Sequence, residues 1–182
     1  RDRVPFDLLF WNEDATNMPL SCHMDFMRNM YIDNKLREPN AIELAGEPID
    51  VTRIETPSYI LWTRDDHIAP WKTCYESTQL FSGRSRFVLG NSGHSAGVIN
   101  PPTREKDGYR VGTGHPPDPD DWFSRAKEKP GSWWPDWVRW LRRYSGGRVK
   151  ARTPGSKEYP SLEPAPGHYV RQMIRPDKRS LF

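Results

Sequence analysis

Two short apolar runs limit what this chain can fold into more than anything else in it. Ser58-Tyr59-Ile60-Leu61-Trp62 runs out into the charged segment Thr63-Arg64-Asp65-Asp66-His67, and Arg86-Phe87-Val88-Leu89 runs into Asn91-Ser92-Gly93-His94-Ser95-Ala96-Gly97, a stretch of small residues. Runs this short, bounded by turn-forming residues, predict strands. Between them Pro70 stands where a first helical turn tolerates proline. Trp71, Tyr75 and Leu80 or Phe81 come next as one helical face, and Gly83 can close the helix. Strand, helix and strand together predict a β-α-β unit, hence an α/β fold with two parallel strands. Such strands need both faces covered, and ligand sites lie beyond their carboxyl ends. Two strands are not a sheet, so either the chain is a piece of a larger domain or another segment supplies the remaining strands.

Composition points the same way. Of 182 residues only 35% are hydrophobic, and of 18 prolines and 13 glycines fourteen crowd into 100–120 and 153–167, where few regular elements are expected. A self-sufficient core is therefore in question. Eight tryptophans offset part of this, and five of them (Trp122, Trp133, Trp134, Trp137, Trp140) fall within nineteen positions; such a cluster needs a surface to pack on. A net charge of +3 is small for the length and argues against a nucleic-acid partner. The basic stretch Arg142, Arg143, Arg148, Lys150 and Arg152 reads as a solvated tail or as a contact for an anionic surface or phosphate-bearing ligand. Cys22 and Cys74 show no disulfide or metal-ligand spacing, and both are expected to be buried and unreactive. No metal or cofactor is expected. With no disulfide framework indicated, a reducing, cytoplasmic setting is expected, and no signal segment or apolar run of eighteen residues is read in the sequence.

Outside the β-α-β unit the patterns are weaker. Ser21 is placed to cap a helix carrying Met24, Met27, Met30 and Tyr31 on one face, either as core or as the lining of an adaptable apolar channel. Ile42 and Leu44, then Gly46, then Ile49 and Val51 predict a small β-hairpin. A last helix near 132–144 would put Trp133 or Trp134, Trp137 or Val138, and Leu141 on one stripe, with Arg139, Arg142 and Arg143 elsewhere, and Gly146-Gly147 would stop it.

Asp66 and His94 each stand just past a predicted strand, so both would emerge at the same edge of a parallel sheet. There a carboxylate can fix an imidazole tautomer and stabilise the imidazolium formed when the ring takes a proton. Two plainer roles compete: Asp66 as the cap of the helix near Pro70, and His94 as an ordinary turn residue. The surrounding motifs carry more weight. Thr63-Arg64-Asp65-Asp66-His67-Ile68-Ala69-Pro70-Trp71 and Phe87-Val88-Leu89-Gly90-Asn91-Ser92-Gly93-His94-Ser95-Ala96-Gly97-Val98-Ile99-Asn100-Pro101-Pro102 closely resemble the acid and histidine motifs of polyhydroxyalkanoate synthases. The likeness continues through Asp7-Leu8-Leu9-Phe10-Trp11-Asn12, Ala15-Thr16-Asn17-Met18-Pro19, Gly131-Ser132-Trp133-Trp134-Pro135-Asp136-Trp137 and Glu163-Pro164-Ala165-Pro166-Gly167-His168-Tyr169-Val170, covering nearly the whole chain.

The resemblance implies the C-terminal part of an α/β-hydrolase-type acyltransferase, similar to the single-subunit class acting on short-chain substrates. Such an enzyme attacks the thioester of an (R)-3-hydroxyacyl-coenzyme A with a cysteine on a strand-to-helix elbow, releases coenzyme A and grows a polyester chain. His94 would be the base that activates the thiol. Asp66 would either orient His94 or help activate the 3-hydroxyl of the incoming unit. His67 matches the family motif and is a candidate substrate-binding residue, whereas Asn12 and Asp14 are expected to be capping and turn residues and Trp71 a packing residue. The elbow motif Gly-x-Cys-x-Gly does not occur, and neither cysteine has the flanking glycines a strained nucleophile turn needs. The chain is therefore expected to lie on the C-terminal side of the nucleophile in its parent enzyme and to be inactive alone. Residues 1–55 would close a cap region, 56–145 would end the hydrolase core and 146–182 would form a Pro/Gly/basic extension. The implied partners are the upstream segment of the same enzyme, the growing polyester and its granule surface, and a second copy in a homodimer. An ester-cleaving hydrolase and a non-catalytic granule-binding module are the alternatives.

Overall fold

The computed structural model describes residues 17–104 and 106–169. The first motif, with Asn12 and Asp14, therefore lies outside the described residues. The chain divides into two compact units, one formed by residues 27–147 and the other by 1–26 with 148–182.

In the second of these units helix α1 (Leu20–Phe26) buries none of its residues, and no other helix or strand is described there. Its start at Leu20 places Ser21 inside the first turn rather than at the cap. Met24 is exposed, as are Met27 and Tyr31 in the π-helical turn Met27–Ile32, so these side chains are not core. Cys22 is exposed as well, against the burial expected for it, because a helix with no covered face gives a thiol no apolar surroundings.

The unit 27–147 holds the sheet. Its first strands form the expected hairpin, β1 (Ile42–Leu44) against β2 (Glu47–Ile49), turned through Ala45 and Gly46 with φ of 53° and 86°. Positive φ at both central residues matches the twist of the flanking strands, and glycine bears it without strain. Strand β3 (Ser58–Thr63) is succeeded by two short helices, α2 (Trp71–Tyr75) and α3 (Ser77–Leu80), in place of the single helix expected. Strand β4 (Ser85–Gly90) then pairs parallel to β3 with Ser58 opposite Ser85, as the β-α-β pattern requires.

Beyond β4 the structure adds what patterning missed. Helix α4 (Ala96–Ile99) leads to β5 (Gly108–Val111), helix α5 (Pro119–Arg125) and β6 (Lys127–Pro130), and the two strands extend the sheet antiparallel in the order β3-β4-β5-β6. The stretch 100–120 is thus not devoid of regular structure. Strand β6, Lys-Glu-Lys-Pro, has no hydrophobic alternation, and its charges and proline suit a sheet edge because they discourage further pairing. Sequence reading missed helix α5, although Asp118-Pro119 at its start was an available signal: Asp118 accepts a hydrogen bond from the Asp120 N–H and Pro119 occupies the first turn.

Side chains sort by strand alternation. On one face Phe87 and Leu89 pack with Trp71, Tyr75, Trp122 and Ala126, and Ile60 and Trp62 lean on this cluster. Tyr75 and Trp122 meet the Phe87 ring edge-on at 5.0 and 4.8 Å, each such pair adding about 0.5–1.5 kcal/mol beyond area burial. Trp71 is a packing residue, as expected. On the opposite face helix α6 (Trp134–Leu141) lies over Tyr59, whose ring meets Trp140 at 5.4 Å and Trp133 at 6.1 Å.

Helix α6 overturns the expected orientation of its stripe. Trp134, Trp137, Val138 and Leu141 are exposed, while Asp136 is 3% exposed. Asp136 turns inward because Arg86 donates to both its oxygens at 2.8 Å and the Tyr59 hydroxyl donates to Oδ2 at 3.1 Å. Burial raises the carboxyl pKa, but the hydrogen bonds and charge of Arg86 and the bond from Tyr59 outweigh it and leave Asp136 below its ordinary value. Burial and the Asp136 charge push the Tyr59 phenol far above its usual range.

Candidate active site

Parallel pairing of β3 and β4 does not stop at the strand ends. The Arg64 N–H donates to Gly90 O at 2.8 Å and the Asp65 N–H to Ser92 O at 3.1 Å, so the two outgoing loops leave the sheet side by side. They carry Asp66 and His94, and His94 Nδ1 lies 2.8 Å from Asp66 Oδ2. Asp66 is 8% exposed, whereas the imidazole side chain is 48% exposed.

The other oxygen of Asp66 accepts the Ile68 and Ala69 N–H groups, both at 3.0 Å. The capping role weighed against catalysis is therefore filled in part by the same side chain, although Pro70 and not Asp66 is the cap residue of α2. One oxygen shapes the loop and the other faces the histidine. The Asp66 pKa is lowered, first by the Ala69 N–H, then by His94 and the Ile68 N–H, against a desolvation cost. An ionised carboxylate only accepts hydrogen bonds, so the proton between the two groups belongs on Nδ1. Nε2 is then the lone-pair nitrogen, on the exposed side of a ring whose tautomer and orientation are set, and it can take a proton from an adjacent thiol or hydroxyl.

Glycine makes this approach possible. A Cβ on Gly97 would stand 2.5 Å from Asn91 O and 2.5 Å from Thr63 Cγ2. The turn bearing His94, closed by the Gly97 N–H to Gly93 O at 3.1 Å, can lie against the end of β3 only without a side chain there. The segment behind it is pinned from the start of α6 and the turn before it: the Trp133 and Trp134 indoles donate to Val98 O at 3.1 and 3.2 Å, and Ser132 Oγ donates to Asn100 O at 2.6 Å. Sequence reasoning singled out neither Gly97 nor this clamp. The Gly93-x-x-x-Gly97 spacing was a visible signal, but the clamp joins residues more than thirty positions apart and left no local trace.

His67 is exposed and is hydrogen-bonded to neither member of the pair. Cys74, on α2, is half-buried, and burial together with the Asp66 charge pushes its thiol up, away from the reactive thiolate. Among the described residues no cluster of histidine, cysteine and carboxylate side chains is placed to hold a metal ion. Nor is any helix there long and apolar enough to cross a membrane.

Comparison with known proteins bears on the fold and the family. A family model of the alpha/beta hydrolase fold matches residues 4–101. The poly(3-hydroxyalkanoate) polymerase subunit PhaC of Cupriavidus necator is 46% identical over 92% of the chain, and that of Rhizobium meliloti is 44% identical over 94%. Poly(3-hydroxyalkanoate) polymerase 1 of Ectopseudomonas oleovorans is 40% identical over 92%. The chain spans 28–30% of the length of these three relatives. With two parallel strands delivering an acid and a histidine to one edge, and this family model matching more than half of its residues, the chain belongs to the alpha/beta hydrolase fold family.

Proposed function

We propose that this chain supplies the acid and histidine of a poly(3-hydroxyalkanoate) polymerase that builds polyester from (R)-3-hydroxyacyl-coenzyme A, with 3-hydroxybutyryl-coenzyme A as the expected substrate. The 2.8 Å contact between His94 Nδ1 and Asp66 Oδ2, at the carboxyl ends of parallel strands, is the observation that carries it. The names of the relatives support the choice of reaction.

In this scheme His94 Nε2 takes the proton of a cysteine thiol, and the thiolate attacks the thioester carbonyl. The carbon–sulfur bond to coenzyme A breaks, and the departing thiolate recovers the proton from the imidazolium. What remains is an acyl thioester on the enzyme cysteine. The 3-hydroxyl of the next unit then gives its proton to the same base and attacks that thioester; the carbon–sulfur bond to the cysteine breaks as the ester bond of the growing chain forms, and the departing thiolate recovers the proton from the imidazolium. Asp66, ionised and held by two loop N–H groups, stabilises the imidazolium each time it forms.

Neither cysteine of the chain is suited to be the nucleophile. Cys22 is on an exposed helix without flanking glycines, and Cys74 has its thiol pushed up by burial. The nucleophile is assigned to a segment outside residues 1–182, so the chain by itself is expected to release no coenzyme A.

The test replaces the matching stretch of the Cupriavidus necator relative with this chain and monitors coenzyme A release from 3-hydroxybutyryl-coenzyme A. His94→Ala and Asp66→Ala are each expected to lower the rate by about a thousandfold or more. Release at the parent rate in either variant would falsify the assignment. Chain-independent ester cleavage by the chimera, without polymer, would favour the hydrolase instead.

A further inference from the structure

A second site lies away from the acid–histidine pair, on the sheet face covered by α6. A cleft of about 100 Å³ is lined by Arg86, Lys129, Asp136, Arg139, Trp140 and Arg143, none of which belongs to the loops bearing Asp66 and His94. The cleft has room for several waters, and so for a compact oxyanion. Four of its six residues are cationic and one is acidic.

The acid does not neutralise the cluster. Both oxygens of Asp136 are taken by Arg86 at 2.8 Å, Tyr59 adds a third bond, and Arg139 stands off at 3.8 Å. Among the described residues Lys129 and Arg143 have no ion-pair partner, and Glu128, the neighbouring carboxylate on β6, is engaged by Arg110 at 2.6 Å. Free surface cations lower their energy by spreading into solvent. Here strand β6, strand β4 and the last turns of α6 bring them to one concavity, with the Arg86–Asp136 pair as a fixed floor and the Trp140 indole as a wall. Convergent cationic donors in one concavity are what recognition of a multiply charged oxyanion requires.

We propose that this cleft binds a phosphomonoester group. The ligand is either a small soluble molecule or a lipid headgroup of the same chemistry. Arg143, part of the basic stretch evident in the sequence, and Lys129 supply the uncompensated charge, and Arg139 turns from Asp136 to the ligand. The site is independent of the proposed polymerase reaction.

The 182-residue chain is titrated at low ionic strength with inorganic phosphate, and separately with phosphatidylcholine vesicles with and without phosphatidic acid, with tryptophan fluorescence as the readout. Saturable binding of phosphate or of the phosphatidic acid vesicles is expected, at least about tenfold weaker in Lys129→Ala/Arg143→Ala. Arg142→Ala, beside the cleft but not lining it, is expected to bind as the parent does. Response to phosphate assigns a soluble ligand, and response only to phosphatidic acid assigns a headgroup. Arg143→Gln alone, on an exposed turn, serves if the double variant melts early. No saturable response to either probe, or equal affinity in the variants and the parent, would overturn the proposal.

Discussion

At the scale of single residues, the site depends as much on an absent side chain as on the two that meet. His94 reaches Asp66 because position 97 has no Cβ to strike Asn91 O and Thr63. Gly97→Ala must open this contact or displace the turn, and overpacking of this kind costs about 1–3 kcal/mol. Gly93, four residues earlier, has only Asp65 O at 3.8 Å from a would-be Cβ, so Gly93→Ala should cost less. Urea melts of the two variants against the parent check the difference, and equal stabilities would show that the close approach at 97 does not hold the turn. Asp66 and His94 were legible in the sequence because their motifs are local and each comes just after an apolar run. Gly97 was not singled out, because the atoms that exclude a side chain there belong to Thr63 and Asn91, across the strand pair.

At the scale of elements, the outward stripe of α6 is the largest departure from expectation. Trp134, Trp137, Val138 and Leu141 share one face at helical spacing, and that face is exposed while Asp136 points to the sheet. Exposed apolar area of this kind marks a contact surface, and polyester is the contact implied by the polymerase proposal. The double substitution Val138→Ser/Leu141→Ser should weaken adsorption of the chain to poly(3-hydroxybutyrate) particles severalfold at high salt, where charge contacts are screened. Its melting should change little, since both side chains are more than a third exposed. Undiminished adsorption in a sedimentation assay would remove this face from consideration. The 3.6-residue period showed that α6 has an apolar face, but a period carries no information about which face a neighbour covers. For β6 there was no period at all, and its place comes from pairing Lys129 with Tyr109 and Glu128 with Arg110.

At the scale of the whole molecule, one buried ion pair ties the sheet to its covering helix. Arg86 lies on β4, Tyr59 on β3 and Asp136 on α6, and they meet across 50 and 77 residues of chain. Asp136→Ala leaves Arg86 without its partner in a cleft shared with Lys129, Arg139 and Arg143. Because the Arg86 side chain is 31% exposed and can rehydrate in part, a loss of about 2–4 kcal/mol is expected in urea melts. The pH dependence has a definite sign. The folded carboxyl pKa is depressed, so its contribution is fully present above the unfolded value of about 4 and is lost as pH falls through the lower folded value. Parent and variant stabilities should therefore differ by a constant amount near neutrality and converge below about pH 4. A gap that persisted at low pH would mean that lost packing, not charge, accounts for the effect.

The β-α-β unit, the hairpin at 42–49 and the two loops that carry Asp66 and His94 can be read from residue order alone, since each rests on a local run of residue types and the turns that bound it. Three features come from the folded arrangement instead: two further antiparallel strands extend the sheet to four among the described residues, Asp136 rather than the tryptophan stripe turns inward, and four cations converge on one cleft. Those features depend on pairing between positions far apart in the chain. There the partner's chemistry, a guanidinium and a phenol awaiting a carboxylate, outweighs the preference that any single segment shows alone.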